Sequence, residues 1–399
     1  MTLLNGFLEN PVWGLPIVIY PFLSGLVAGS FVVASLSHLF GMEKFKPLAK
    51  LAAIVSFAML ILAAQAPLAD ALQPSRAIWE LYFRDHFPYS PLGMFIIIWS
   101  LYIILMLFEM YYLFRISNIK RAEGDSGLRG KLAGIFTLGN KDLSEKAEKR
   151  DNKALKIIAG SGIALAFLFH GYVGFLFGAI KARPLWSNPL IPVLFITSAI
   201  VSGIALMGLL YVIAFSYFSD KNKVNLDTLS ELNKFLLLMI GFDIFFDLIE
   251  WLYSVRSYAP KDIYEGWHSV FSAGGGGVLS FNYHFMQMTL GLIVPGILLL
   301  SKKVRNSKAW TVIISAMVLI GVWAMRFNTV IGAQLQTKIG QGTVLFNIPV
   351  LGYDGYITGI GLFALGIFLM FVFGYFLGWE DRPELTPELA KGNKNKEAL

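Results

Sequence analysis

The 399-residue chain contains no cysteine. By itself it can hold no disulfide, no iron–sulfur cluster and no c-type haem. If it handles electrons, an organic cofactor or a partner subunit must carry them. Charge is scarce as well, at 15% of residues, against about 25% in soluble domains. The first 14 residues hold no Lys or Arg, so the basic n-region of a cleavable signal peptide is missing. Only five His are present, and no apolar stretch has two well-separated ones, unlike a two-haem cytochrome b bundle. His170 and His284 are expected at similar depth, but a lone His in a bundle is more often a hydrogen-bonded core or site residue. No haem is expected.

What is present is apolar length. Hydrophobic residues make up 56% of the chain, and its mean hydropathy is +0.63. Nine runs, at 15–40, 48–72, 91–118, 155–180, 188–218, 232–254, 279–300, 309–331 and 357–379, are each long enough to cross a bilayer as a helix. Barrel strands would be only about 10 residues of alternating character. Pro192 is one expected cause of a kink near the start of the fifth. The loops after spans one, three, five and seven, with the C-terminal tail, hold 21 Lys and Arg; the other loops hold 7. Basic residues favour the inside, so the N-terminus is expected outside and the C-terminus inside a prokaryotic plasma membrane. The net charge of +7 follows from that topology and does not point to nucleic acid. The 119–154 loop is expected as a short cytoplasmic segment.

Polar residues inside the spans fall mostly at the outer end. Span two carries Gln65 and Asp70, span four His170 and Tyr172, and span seven Asn282, His284 and Gln287. Span eight carries Arg326 and Asn328, and Tyr20 lies near the start of span one. In span six, Asp243, Asp247 and Glu250 are spaced by four and three, which sets them on one helical face. A carboxylate in a bilayer costs about 2.5–3.5 kcal/mol even on the lenient insertion scale. Three such groups therefore face the bundle, and Arg326 is expected to pair with Asp247 or Glu250. The plainer reading of that cluster is a structural ion pair; the functional one is a proton relay that includes His284.

Three pieces of sequence together resemble the NrfD/PsrC family, the membrane subunits of polysulfide-reductase-like respiratory complexes. They are Tyr20-Pro21-Phe22-Leu23-Ser24-Gly25-Leu26-Val27-Ala28-Gly29-Ser30, the outer loop from Gln65-Ala66-Pro67 through Arg76, Trp79 and His86 to Ser90-Pro91, and Gly171-Tyr172-Val173-Gly174 followed by Arg183-Pro184-Leu185-Trp186. The length and the acidic sixth span look more like the longer DsrP- and HybB-type relatives, usually described with ten helices. The resemblance implies an all-α integral membrane protein of nine or ten transmembrane helices. Its parts would be a first four-helix bundle (1–187), a second (188–331) and an extra C-terminal helix with a tail (332–399). Span five, Ile196-Thr197-Ser198-Ala199-Ile200-Val201-Ser202-Gly203, faintly echoes span one.

The resemblance also implies electron exchange between a menaquinone-type quinone and a ferredoxin-like iron–sulfur subunit on the outer face, within a larger redox complex. The quinone site would lie in the first bundle, with Tyr172 contacting it and Tyr20, Gln65, Arg76 and Trp79 around it. Tyr20 stands where some relatives have His, and Gln65 where some have an acid. Quinol oxidation releases protons, so a nearby base is needed, and His170 or Asp70 could serve. Aromatic-belt anchoring is the plainer role for Tyr172 and Trp79. The competing class is an ion-coupled secondary transporter built on Asp243, Asp247, Glu250 and Arg326.

Overall fold

Serine caps and prolines mark where the apolar runs become helices. The computed structural model describes residues 12–71, 74–76, 89–219, 223–255, 260–274, 276–337, 343–344 and 346–380; Trp79 and His86 lie outside the described residues. Helix α1 (Leu15–Phe40) opens with proline in its first turn and closes on Gly41 at φ +65°, a left-handed cap that glycine adopts without a Cβ penalty. After a short 3-10 turn comes α2 (Lys46–Asp70). The Ser90 hydroxyl caps α3 (Pro91–Gly124), accepting from the Gly93 N–H at 3.3 Å. The short α4 (Leu128–Phe136) follows. Ser144 caps α5 (Glu145–Gly178) in the same way at 3.2 Å, and Glu145 and Glu148 in the first turn complement the helix dipole.

Helix α6 (Ile191–Ile213) carries Pro192 in its first turn. Proline there starts the helix instead of kinking it, because its missing N–H would be unpaired in any case. Then come α7 (Leu226–Val255), α8 (Lys261–Phe271), a π-helical segment Asn282–Ile293 leading into α9 (Val294–Leu299), and α10 (Lys302–Arg305). Helix α11 (Lys308–Phe327) continues through a π-turn, Asn328–Gly332, into α12 (Ala333–Leu335). The last helix is α13 (Tyr356–Phe373). Among the described residues the only β pairing is an isolated Gln336–Thr343 bridge.

Seven of the described helices are long and apolar enough to cross a membrane. The two other expected spans are helical but differ in kind. Helix α7 has 30 residues, ample at 1.5 Å per residue, but it carries Lys234, Asp243, Asp247 and Glu250. The stretch at 282–299 changes pitch midway. There the Thr289 hydroxyl donates to the His284 carbonyl five residues back, at 2.7 Å, and Pro295 brings no N–H to the ladder.

The most enclosed element is α1. Its apolar window is 94% buried, against 17% for the last span. It packs on α2, α5 and α6, so it lies at the centre of the fold with a seam against α6. Small residues make that seam. A Cβ on Gly29 would overlap the Ala199 carbonyl and stand 2.7 Å from the Gly203 Cα. The echo between spans one and five is thus a pair of matched small surfaces in contact, as close packing between membrane helices requires. Gly291 and Gly321 repeat the device between the 282–293 segment and α11. Helix α13 folds back on the first bundle, with Gly366 against Leu62 and Met59. One apolar core runs through all these elements.

On the lysine- and arginine-rich side, α3 and α5 extend past the apolar zone. Buried Arg115 donates from Nε to Asp151 Oδ2 at 2.6 Å and also to the Asp142 carbonyl. The extra bond completes the pair and ties down the 119–154 segment.

The seam makes a testable claim. Gly29→Leu should lower the melting temperature of the detergent-purified chain by roughly 5 °C or more, because backbone must move to admit it. Gly241 has open space where a Cβ would point, with nothing within 4 Å. Gly241→Leu should therefore shift the melting temperature by no more than about 2 °C. Equal shifts would refute the close approach of α1 and α6.

Candidate functional site

Antiparallel neighbours bring early residues of one helix level with late residues of the next. Ser24 lies early in α1, His170 late in α5, Phe195 and Ser198 early in α6, and Arg326 late in α11. All therefore share one depth, near the lysine-poor face. They meet there in a polar junction inside the apolar core.

Arg326 and His170 are both fully buried. One terminal nitrogen of Arg326 reaches His170 Nε2 at 3.1 Å and donates to Ser198 Oγ at 2.8 Å and the Phe195 carbonyl at 3.4 Å. The other terminal nitrogen contacts Met325 Sδ at 3.0 Å. The guanidinium lies over the Phe195 ring, 4.0 Å from its centroid, and the His170 ring stacks on the same Phe195 at 5.5 Å. Gly25 makes room for the imidazole, since a Cβ there would stand 3.3 Å from His170 Cε1.

The network assigns the tautomer. A guanidinium has only donors, so His170 Nε2 accepts. The proton is then on Nδ1, which donates to Ser24 Oγ at 3.1 Å, and the Ser24 hydroxyl donates to the Pro21 carbonyl at 3.3 Å. Both ring nitrogens are engaged. His170 can gain a proton at Nε2 only if Arg326 withdraws.

The expected pairing of Arg326 with Asp247 or Glu250 is not what the structure has. No carboxylate lies within 4.0 Å of Arg326 among the described residues. Neutral groups hold Asp243 and Glu250 instead. The Thr197 hydroxyl donates to Asp243 at 2.6 Å, and Asn188 Nδ2 donates to Glu250 at 3.1 Å. Gln287 is buried on the π-helical segment at 282–293. Gln287 Oε1 accepts from Asn328 Nδ2 at 2.8 Å, and Asn328 Oδ1 accepts from Asn282 Nδ2 at 2.7 Å. The acids do share a face, as their spacing predicts, and their helix packs on α6 and on the π segment at 282–293. Such segments recur at functional sites. A cavity of about 60 Å³ lies beside them, lined by Glu250, Gln287, Asn328, Tyr283, Trp267 and Phe195 among others. That is space for water, well short of the roughly 300–1,000 Å³ of a ligand pocket. His284 keeps apart, with Nε2 against the Phe271 carbonyl at 2.9 Å.

The expected first-bundle residues are spread out. Tyr20 is buried with its ring edge-on to Phe95 at 5.4 Å, and its hydroxyl has no partner among the described residues. Half-buried Tyr172 donates to the Pro91 carbonyl at 2.9 Å. Asp70 is buried and accepts from the Gly14 N–H at 3.3 Å, apart from the His170 junction. Gln65 and Arg76 are exposed. The resemblance motifs have local jobs too. Gly174 lets α5 close on the start of α6, with Pro192 Cα 2.7 Å from a built Cβ. Arg183 donates to the Gln336 carbonyl at 2.6 Å, and Trp186 Nε1 to the Thr329 carbonyl at 2.7 Å.

Sequence reasoning missed Ser24, Phe195, Thr197, Ser198 and Asn188. The signal for Ser24 and Ser198 was the repeated small-residue pattern of spans one and five, where each sits beside a small residue, Gly25 or Ala199.

Residues 4–338 match the family model described as polysulphide reductase, NrfD. The chain is 35% identical over 245 residues to a selenate reductase subunit of Mesobacillus selenatarsenatis, covering 60% of this chain and 56% of that protein. It thus spans little more than half of that relative. It is 25% identical over 391 residues to the Hdr-like menaquinol oxidoreductase integral membrane subunit of Archaeoglobus fulgidus, covering 93% and 85%. It is 26% identical over 349 residues to protein NrfD of Escherichia coli, covering 84% and 99%.

The junction predicts a non-additive pair. His170→Ala and Arg326→Met should each destabilise the purified chain, and the double variant should lose less than their sum, by about 1–3 kcal/mol of coupling. Additive losses in a thermal or denaturant series would contradict a direct His170–Arg326 contact.

Proposed function

Because the chain belongs to the NrfD family, we propose that it is the quinone-reactive membrane subunit of a multisubunit respiratory oxidoreductase, with nine membrane-crossing helices. The N-terminus is outside and the C-terminus inside, on the strength of the Lys and Arg bias between loops. Electrons pass between a menaquinone-type quinol and an iron–sulfur partner on the outer face. The relatives' names support the complex, one being a menaquinol oxidoreductase subunit and another a selenate reductase subunit. The cysteine count supports the partner, since this chain cannot supply thiolate cluster ligands.

One residue of the expected set suits a quinone oxygen at the outer end of the first bundle. The unpartnered, buried Tyr20 hydroxyl is an unspent donor that a quinone oxygen would satisfy. Tyr172 and Gln65 would flank the ring, with Asp70 and Arg76 beside them; Trp79 follows in sequence, outside the described residues. A bound quinol supplies two electrons and two protons. The chain's own part is to orient the ring and accept protons.

The observation that carries the reading is the buried Arg326–His170 contact, which ties a base in the first bundle to a cation in the second. When His170 Nε2 takes a proton, the like charges part, and the guanidinium moves toward Asp243 and Asp247. The arriving cation displaces a proton held among Asp243, Asp247 and Glu250 toward the small cavity, while His170 keeps the one it gained; His284, held at the Phe271 carbonyl, would serve only after that release. The neutral partners of the acids support this reading, because they hold the carboxylates without locking them in an ion pair.

Two measurements test it. Purification of the chain from native membranes in mild detergent should recover a multi-cluster iron–sulfur protein by mass spectrometry; recovery of the chain alone would favour the transporter reading. In proteoliposomes containing the complex, Asp247→Asn should keep quinol oxidation within about twofold while proton release is lost. Tyr20→Phe should cut quinol oxidation roughly five- to tenfold, the worth of one hydrogen bond of about 1 kcal/mol. Unchanged proton release in Asp247→Asn would remove the relay, and unchanged oxidation in Tyr20→Phe would move the quinone elsewhere.

A further inference from the structure

At the opposite, lysine-rich face lies a larger cavity that the redox reading does not use. It measures about 540 Å³, within the roughly 300–1,000 Å³ of ligand pockets. Its walls come from both halves of the chain: the turn between α1 and α2, the end of α6, the start of α7, and Glu380 beyond α13. Three ammonium groups, Lys44, Lys46 and Lys223, border it. Lys44 bridges Glu231 at 3.6 Å. Lys46 and Lys223 have no carboxylate within 4.0 Å among the described residues.

The cavity is built rather than incidental. Buried Tyr211 and Phe215 pack edge to face at 4.7 Å and form an apolar wall. The Tyr211 hydroxyl accepts from the Asn225 N–H at 2.9 Å, and the Thr228 hydroxyl donates to the Lys44 carbonyl at 3.1 Å. The first bond fastens the end of α6 to the start of α7, and the second fastens the lysine-bearing turn there. Beside the rim in sequence stand exposed apolar side chains, Phe40 at 61%, Met42 at 41% and Leu226 at 47%.

We propose that this cavity binds the phosphodiester headgroup of a membrane phospholipid, with Lys46 and Lys223 on the phosphate and Tyr211 and Phe215 against the glycerol backbone. Basic pockets between membrane helices bind headgroups in this way. Glu43 and Glu380 also line the cavity. They limit its positive charge, so it suits a singly charged phosphodiester better than dianionic free phosphate. Phe40, Met42 and Leu226 give the acyl chains an apolar exit. The lipid would join the first bundle to the second at the face opposite the Arg326–His170 contact.

The test uses the full chain, purified and delipidated, with native mass spectrometry during titration of phosphatidylethanolamine or phosphatidylglycerol. One phospholipid should be retained by the unaltered chain. The double variant K46A/K223A should bind it roughly thirtyfold more weakly, about fivefold per lysine. K302A/K303A, on the same face but outside the cavity, should stay within about twofold. Equal binding by K46A/K223A, or an equal loss in K302A/K303A, would overturn the site. Displacement of the lipid by inorganic phosphate at equal concentration would make it a free-phosphate site instead. Should K46A/K223A not fold, a phospholipid with a photoreactive headgroup decides the matter on the unaltered chain. It must label segments 43–47 and 223–228, and labelling confined elsewhere would refute the proposal.

Discussion

A guanidinium sealed inside an apolar bundle must find its acceptors within the protein, and Arg326 has no exposed surface at all. The desolvation of a charge is so costly that its surroundings are fixed to within a hydrogen bond. His170 comes from α5, Ser198 and the Phe195 carbonyl from α6, and Ser24 holds the far side of the imidazole from α1. Four helices are thereby pinned at one depth. The stacked Phe195 ring lies against both the cation and the imidazole, adding a cation–π contact where no water competes.

That junction is possible only because the backbones come close. In lipid there is little hydrophobic drive between helices, and association rests on packing and polar contacts. Gly29 and Gly203 remove the side chains that would hold α1 and α6 apart, and Gly25 clears the volume that the His170 ring fills. The two halves consequently share one core, and a change at the His170–Arg326 contact is felt in both. A division of the chain at 187/188 describes the order of the helices better than it describes separable bodies.

Much of the fold was legible because lipid imposes a simple rule. Apolar length located the helices, and the depth of polar residues located the face where they converge. The spacing of Asp243, Asp247 and Glu250 correctly put them on one face of α7, since that follows from helical pitch alone. The partner of Arg326 was not legible. Charge complementarity pointed to the acids, but partner choice depends on the rotation of α7 about its axis, which no single-helix periodicity encodes. In the fold, Thr197 and Asn188 reach Asp243 and Glu250 first, leaving His170 to Arg326. The same limit hid Ser24 and Ser198, unremarkable in composition and decisive in position. Pro192 was read as a kink because its distance from the true helix start could not be seen; with the helix beginning at Ile191 it is an initiator. The π segments at 282–293 and 328–332 leave no periodic trace strong enough to separate them from an α-helix.

The arrangement of the acids bears on which class of function suits this membrane scaffold. A structural ion pair would be expected to place Arg326 against a carboxylate, since that contact offsets two desolvation costs at once. Here the cation is spent on a neutral imidazole across the seam, and the carboxylates are held by hydroxyl and amide groups that can donate to them. Such a placement forgoes the tightest static pairing and leaves the base and the cation at one depth, with the acids along the facing side of α7 over about two helical turns. An arrangement chosen for rigidity alone would not be divided in this way. One in which a proton arriving at His170 redistributes the cation between two bundles requires that division, and the glycine-lined seam keeps the two sides near enough for the exchange.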